Sequence, residues 1–332
     1  VLFCCCWGVV SLSLLLSLLL LLLLLLLLLS AGAGAYLLLN RVADRSVADL
    51  SVRWAPPPSQ FIDVLGVQLH FRDEGPREDG LPIVLLHGTS ASLHTWDGWA
   101  SALSGERRVI RFDLPAFGLT GPTPSGDYSV ESYVQTLIAF LDSLHVHKCV
   151  LVGNSLGGHV SWVAALLHPA RVERLVLIDA VGYPFQPKSV PIGLRIANTP
   201  ILNKLMKNVL PRSVVESSVK NVYANPSLVT PALVDRYFDL ITRAGNREAL
   251  ALRMRRARLD AFSTRVSEIN VPTLIMWGAQ DRLVPPEIAD RFHADLVNST
   301  LVIFDALGHV PHEEDPLTTS AALKRFLALQ TS

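Results

Sequence analysis

The chain has 332 residues, more than one small domain needs and about right for one large α/β domain with appendages. Its 29 basic and 29 acidic residues balance, which excludes the electrostatic footprint of a nucleic-acid binder. Half of the residues are hydrophobic, a share raised by the first 40 positions, which carry no charge at all.

Within that leader, Leu18 to Leu29 is an unbroken run of leucines. An uncharged apolar stretch of this length exceeds the roughly 20 residues that cross a bilayer as a helix, and it lacks the polar face of a soluble core helix. Two readings stay open. As a signal anchor it makes the chain a single-pass membrane protein. As a signal peptide it is removed, with Ala31-Gly32-Ala33 or Ala33-Gly34-Ala35 as the small-residue cleavage site, and the product is secreted. The length favours the anchor, since cleaved signals carry an apolar core of about 7–15 residues. Arg41, Arg45 and Arg53 follow the segment, a weak pointer to a cytoplasmic catalytic domain. Cys4, Cys5 and Cys6 belong to the leader, and Cys149 alone belongs to the folded part, where it reads as a small core residue.

Residues 41–60 read as a polar linker closing on Pro56-Pro57-Pro58, an extended spacer. From Phe61 onward, short β-type runs alternate with helical stretches. The runs are Val67–Arg72, Ile83–Leu86, Arg108–Phe112, Cys149–Val152, Leu175–Ile178, Thr273–Met276 and Leu301–Phe304. Several are continuous Val/Ile/Leu, as expected of strands covered on both faces. Amphipathic stretches such as Ser129–Leu144 and Leu156–His168 lie between them, so the pattern predicts an α/β fold with a mostly parallel, doubly wound sheet. The interval from 182 to 270 breaks the rhythm, with helical patterns punctuated by prolines, and predicts a helical lid inserted between two strands. The expected organisation is a leader at 1–40, a linker at 41–60, core at 61–181 and 271–332, and the lid at 182–270. Within the lid, Leu202, Leu205, Met206, Val209 and Leu210 fall at the spacing of one helix face, which serves equally as an acyl-chain wall or as lid packing.

The strongest local signal is Gly153-Asn154-Ser155-Leu156-Gly157-Gly158, directly after the strand Cys149–Val152 and directly before a helical pattern. G-x-S-x-G in that context is a nucleophile elbow, where glycines keep side chains away from a serine on a tight turn. A serine hydroxyl is a weak nucleophile until a base takes its proton, and the partners follow in the order acid, then histidine. Asp281 lies just after the strand Thr273–Met276 and His309 just after Leu301–Phe304, both at strand carboxyl ends. Ser155, Asp281 and His309 are therefore the expected nucleophile, orienting acid and base. His312 competes as base, Asp179 as acid, and Asp305 reads as structural. The turn His87-Gly88-Thr89 after Ile83–Leu86 is the expected second half of an oxyanion hole, with the backbone amides of Thr89 and Leu156 as donors. His87, His94 and His159 read as hydrogen-bonded groups near the site, and no cluster with metal-ligand spacing occurs, so no metal is expected.

Together His87-Gly88, Arg111-Phe112-Asp113-Leu114-Pro115 with Phe117-Gly118, Gly153–Gly158, Asp281 and Gly308-His309 resemble the α/β-hydrolase superfamily over nearly all of 61–327. Within it the chain looks like Moraxella-type bacterial lipases and esterases and like membrane-anchored monoacylglycerol lipases. The resemblance implies an α/β-hydrolase fold and ester hydrolysis through an acyl-enzyme with no cofactor. The implied partners are a small-molecule ester or lipid substrate and a membrane. Ala116 departs from the family's usual glycine, and Ser155 stands where haloalkane dehalogenases and epoxide hydrolases carry aspartate. A carbon–carbon bond hydrolase or cofactor-free perhydrolase using the same three residues is the alternative, and a non-catalytic ligand binder a more distant one.

Overall fold

The computed structural model describes residues 2–199, 202 and 208–328, with side chains from Leu14 onward. Its strands are β1 (Gln60–Val64), β2 (Val67–Glu74), β3 (Ile83–Leu86), β4 (Val109–Phe112), β5 (Cys149–Asn154), β6 (Val172–Ile178), β7 (Thr273–Gly278) and β8 (Ser299–Phe304). They form one sheet in the order β1-β2-β4-β3-β5-β6-β7-β8. The β1–β2 hairpin and the β2–β4 pair are antiparallel, and every other pair is parallel.

The helices are α1 (Leu2–Leu39), α2 (Val47–Trp54), α3 (Asp97–Leu103), α4 (Val130–Ser143), α5 (Leu156–Leu167), α6 (Ile192–Asn198), α7 (Arg212–Val222), α8 (Pro231–Ile241), α9 (Asn246–Arg256), α10 (Glu287–Asp295), α11 (Pro311–Glu314) and α12 (Pro316–Ala328). Side chains alternate across each strand, and helices cover both faces of the sheet. Ile83, Leu85, Val150 and Val152 pack with α3 and α12, while Val84, Leu86, Cys149 and Leu151 pack with α4, α5 and α10. That is why these strands read as unbroken apolar runs. The Cys149 thiol is buried among them, and burial pushes it up to about 12.

Between β6 and β7 lie α6 to α9, with no strand among the described residues. This insertion carries a small core of its own, in which Val215 and Val219 of α7 meet Val234 of α8. Leu205 and Met206 of the expected helix face lie outside the described residues. The face does not continue as a helix through Val209 and Leu210. Val209 pairs instead in an isolated bridge with Arg41, since Pro211 disfavours helical backbone in the residue before it.

Neither β1 nor α2 was expected from the sequence. β1 is a short edge strand closed by a turn in which Leu65 and Gly66 both have positive φ. α2 falls within the expected linker, capped by Ser46, whose hydroxyl accepts from the Asp49 amide at 3.0 Å. An eight-residue helix has little stability of its own, and α2 exists because Leu50 is buried against Leu119 and Leu240. α1 is uncharged, is not packed against the rest of the chain over its most apolar 18 residues, whose mean hydropathy is 3.2, and over Leu14–Leu39 has the length to cross a membrane.

The residues between α1 and the sheet are bound to the insertion. The Val42 amide donates to Asn208 at 2.8 Å, the Leu210 amide to Asn40 at 3.0 Å, and the Arg45 amide to Thr242 at 2.8 Å. The Asp239 carboxylate accepts from Arg45 at 2.7 Å and from the Trp54 indole at 2.9 Å. Asp239→Ala strips both donors of their acceptor. It is expected to lower stability by about 1–2 kcal/mol in urea unfolding and to speed proteolysis within 40–60. An unchanged midpoint and cleavage rate would mean that this tie contributes nothing.

Candidate active site

Ser155 stands on the turn between β5 and α5 with φ 54° and ψ −111°. An L-residue held at positive φ costs about 1–2 kcal/mol, so the surroundings must enforce it. A Cβ on Gly153 would overlap the Gly157 carbonyl, and one on Gly157 would overlap the Leu86 carbonyl of β3. Only glycine permits those approaches. Their effect is to press the turn after β3 against the nucleophile turn, so that a Cβ on Gly88 would stand 3.2 Å from the Ser155 Cβ.

The Thr89 and Leu156 amides both border the cavity that Ser155 faces, and neither donates to an acceptor among the described residues. Leu156 is the first residue of α5, where backbone N–H groups have no partner within the helix. His87 holds the other side of this turn. Its Nε2 accepts from the Leu114 amide at 2.9 Å, which leaves Nδ1–H to donate to the Gly88 carbonyl at 2.7 Å. Burial lowers its pKa, keeping it neutral as that geometry requires.

His309 and Asp281 meet as the spacing from strand ends predicts. His309 Nδ1 lies 2.7 Å from Asp281 Oδ2, and both residues are buried. Asp281 Oδ1 accepts from the Leu283 amide at 2.7 Å and the Val284 amide at 3.0 Å. With one oxygen held by two amides and the other on the imidazole, the carboxylate is fixed in orientation. The two loops meet closely, since a Cβ on Gly278 would overlap the Gly308 carbonyl. His309 lines the same cavity as Ser155, so the three expected site residues are gathered at the carboxyl edge of the sheet.

The competitors are placed differently. His312 is buried with its ring stacked on Trp96 at 4.0 Å, and neither ring nitrogen has a partner among the described residues. Asp305 is exposed. His94 bonds Ser92 and the Trp54 carbonyl, His159 bonds the Ala261 carbonyl, and burial brings each pKa down to about 4. Asp179 is fully buried next to the pair, with φ 45°. Its Oδ1 accepts from the Gly278 amide at 3.0 Å, and its Oδ2 has no partner among the described residues. Ligand atoms of Asp179, Asp281 and His309 all lie within 4.8 Å of one another. Within that group Asp281 Oδ2 and His309 Nδ1 are spent on each other, with Asp179 as a buried acid beside the pair.

Sequence reasoning missed two residues that shape this edge. Asn154 Nδ2 donates to the His309 carbonyl at 3.0 Å and to Ile178 at 3.1 Å, tying the nucleophile turn to the histidine loop. Its place inside the elbow motif was the available signal. The Glu314 carboxylate accepts from Gly308 at 2.8 Å and from Ala224 at 2.9 Å, joining that loop to the insertion. Nothing in its spacing announces that role.

Burial, and then the charge of Asp281, raise the Asp179 pKa well above the usual carboxylate range. The folded protein thus keeps a proton that the unfolded chain releases. Stability is greatest below the unfolded value, near about 4, and falls as pH rises toward the folded value. Asp179→Asn retains an acceptor for Gly278, so it should flatten that slope and exceed the parent's stability at neutral pH. Urea midpoints from acid to neutral pH test this, and an unchanged slope would refute it.

The family model described as "alpha/beta hydrolase fold" matches residues 82–316. A 2-hydroxy-6-oxo-2,4-heptadienoate hydrolase of Pseudomonas putida is 32% identical over 259 residues, covering 74% of this chain and 87% of the relative. An uncharacterized hydrolase of Bacillus subtilis is 29% identical over 276 residues, covering 82% of this chain and 99% of its own. Among solved structures, a membrane phospholipase A superposes with a TM-score of 0.71 at 25% identity, covering 92% of this chain and 97% of that one. With this match and the sheet described above, the chain belongs to the α/β-hydrolase family and has its fold.

Proposed function

We propose that the chain is a serine hydrolase that cleaves carboxylic esters of lipid-like acyl groups through an acyl-enzyme. The observation that carries this reading is a cavity of about 570 Å³ with Ser155 and His309 on its wall. Leu194, Leu210, Val215, Val219, Leu250 and Met254 of the insertion make much of the remaining wall apolar. Such a surface favours an acyl chain over a small polar ester.

In this reading Ser155 Oγ attacks the ester carbonyl carbon, and its proton passes to His309 Nε2. Asp281, bonded at Nδ1, fixes the tautomer and stabilises the imidazolium. The carbonyl π electrons move onto oxygen, which accepts from the Thr89 and Leu156 amides. Collapse re-forms the carbonyl and expels the alcohol oxygen, which takes the proton from His309. Water then repeats the sequence: His309 removes its proton, the acid departs, and Ser155 regains its hydrogen. No cofactor takes part in these steps.

The same reading makes 182–270 a lid over the two core portions, 61–181 and 271–332, and 1–40 a membrane anchor followed by a juxtamembrane segment at 41–60. The ties from Asn40, Val42 and Arg45 to the insertion support that arrangement, because they hold the end of α1 beside the residues that wall the cavity. A second reading, carbon–carbon bond hydrolysis on the same three residues, is favoured by the Pseudomonas putida relative.

Ser155→Ala should cut turnover of p-nitrophenyl esters by at least about a thousandfold, since removing the nucleophile leaves only binding and oxyanion stabilisation. A rate rising with acyl length supports the lipid-like class. If Ser155 labels with a fluorophosphonate but no ester is turned over, the carbon–carbon reading replaces this one.

A further inference from the structure

Arg253 plays no part in the chemistry above, yet it sits on the cavity wall and is only 4% exposed. It lies on the face of α9 that also sends Leu250, Met254 and Ala257 to that wall, the spacing of a single helical stripe. No carboxylate among the described residues acts on its guanidinium. Its guanidinium donates from Nη1 to the Met254 sulfur at 3.7 Å and is hydrogen-bonded to the neutral Tyr133 side chain, while its Nε has no partner among the described residues. The groups that bear on it electrostatically reduce to Tyr133, whose hydroxyl proton is committed to the Pro115 carbonyl at 3.0 Å. Asp260 also borders the cavity, but it is exposed and does not act on the guanidinium. The nearby His159 is held neutral by burial.

A buried guanidinium cannot shed its proton at ordinary pH, and burial without a counter-charge is costly. Elsewhere in this protein such groups are paired: Arg236 meets Glu313, Arg108 meets Asp73, and Arg111 meets Glu74. Arg253 differs in facing a cavity large enough to admit a ligand. We propose that Arg253 receives the anionic end of an amphiphile whose apolar part fills the same cavity. The shared chemistry is an oxyanion group with at least two acceptor oxygens, found on a fatty carboxylate or on a lipid phosphate, which the planar guanidinium can hold bidentately. The inference rests on reading this cavity as the substrate cavity, and it sharpens the substrate class from lipid-like ester to anionic amphiphile.

The test uses the full chain in neutral detergent, with hexanoate, hexyl phosphate and hexanol as probes. Protection of Ser155 against a fluorophosphonate is measured for the parent, Arg253→Met and Arg253→Lys. A charge-assisted pair should let one or both anions protect at concentrations about thirtyfold below hexanol in the parent. Arg253→Met should shrink that advantage to within about threefold, with Arg253→Lys in between. Hexanoate alone, hexyl phosphate alone, or both protecting assigns the group as carboxylate, phosphate or either. Equal protection by all three probes in the parent overturns the proposal, as does an anion advantage that survives in Arg253→Met. Calorimetric titration of the same probes into Ser155→Ala protein makes the two readings separable. If Ser155 never labels, the hydrolase reading fails, while the anion preference in those titrations still decides the role of Arg253.

Discussion

The architecture of the candidate site rests on one backbone constraint, the turn that holds Ser155 at φ 54° between β5 and α5. A side chain there is strained in isolation, and three close approaches enforce it. Gly153 lies against Gly157, Gly157 against the end of β3, and Gly88 against Ser155 itself. Each approach requires that no Cβ intervene. Thr89 and Leu156 line the same cavity as Ser155. Two distant stretches of sequence thereby share one edge because the sheet order places β3 next to β5. Ala116 shows a similar strain without the same demand. It sits at φ 80°, the left-handed region that glycine adopts freely, which is why the family's glycine suits that position.

Electrostatics around the turn are simplified by burial. His87, His94, His159 and His312 all have lowered pKa values, with desolvation as the leading cause in each. They therefore stand as neutral hydrogen-bonding or stacking groups. Asp179 is pushed the other way, by burial and then by Asp281 beside it. The Asp281 carboxylate accepts from two amides and meets the imidazole. In the proposed mechanism such an arrangement would limit reorganisation as charge develops on the histidine. Arg253 stands apart from these groups as a buried cation on the cavity wall.

The insertion is joined to the rest of the chain by polar contacts as well as by packing. The His309 amide donates to the Val222 carbonyl at 2.9 Å, Glu314 holds the amide of Ala224, and Arg236 with Tyr237 engages Glu313. These contacts cluster within five residues of His309, so displacement of α7 or α8 bears directly on the histidine loop. On its other side the insertion is bound to residues 40–54. One helical layer consequently touches the cavity, the histidine loop and the chain leaving α1.

Local pattern alone determined a good deal about this protein. Short β-type runs announced seven of the eight strands, several of them unbroken and apolar because a strand covered on both faces needs no polar alternation. Ser155, Asp281 and His309 were legible because each sits at the end of such a run, and the parallel order of the strands brings those ends to one edge. The amphipathic stretch Ser129–Leu144 announced α4, which the structure caps with Ser129, its hydroxyl accepting from the Ser132 amide at 3.3 Å. What the sequence could not carry depended on partners far away in the chain. α2 is stable only against Leu119 and Leu240, and β1 is an exposed edge strand with one buried residue. Glu314 works through amides some 90 positions distant. Arg253 reads locally as one more basic residue in a basic helix. Only the packing of α9 against α6 and the core buries its guanidinium beside the cavity with no carboxylate acting on it. Burial and pairing are properties of the assembled fold, since they depend on which surfaces meet and not on which residues are neighbours in sequence.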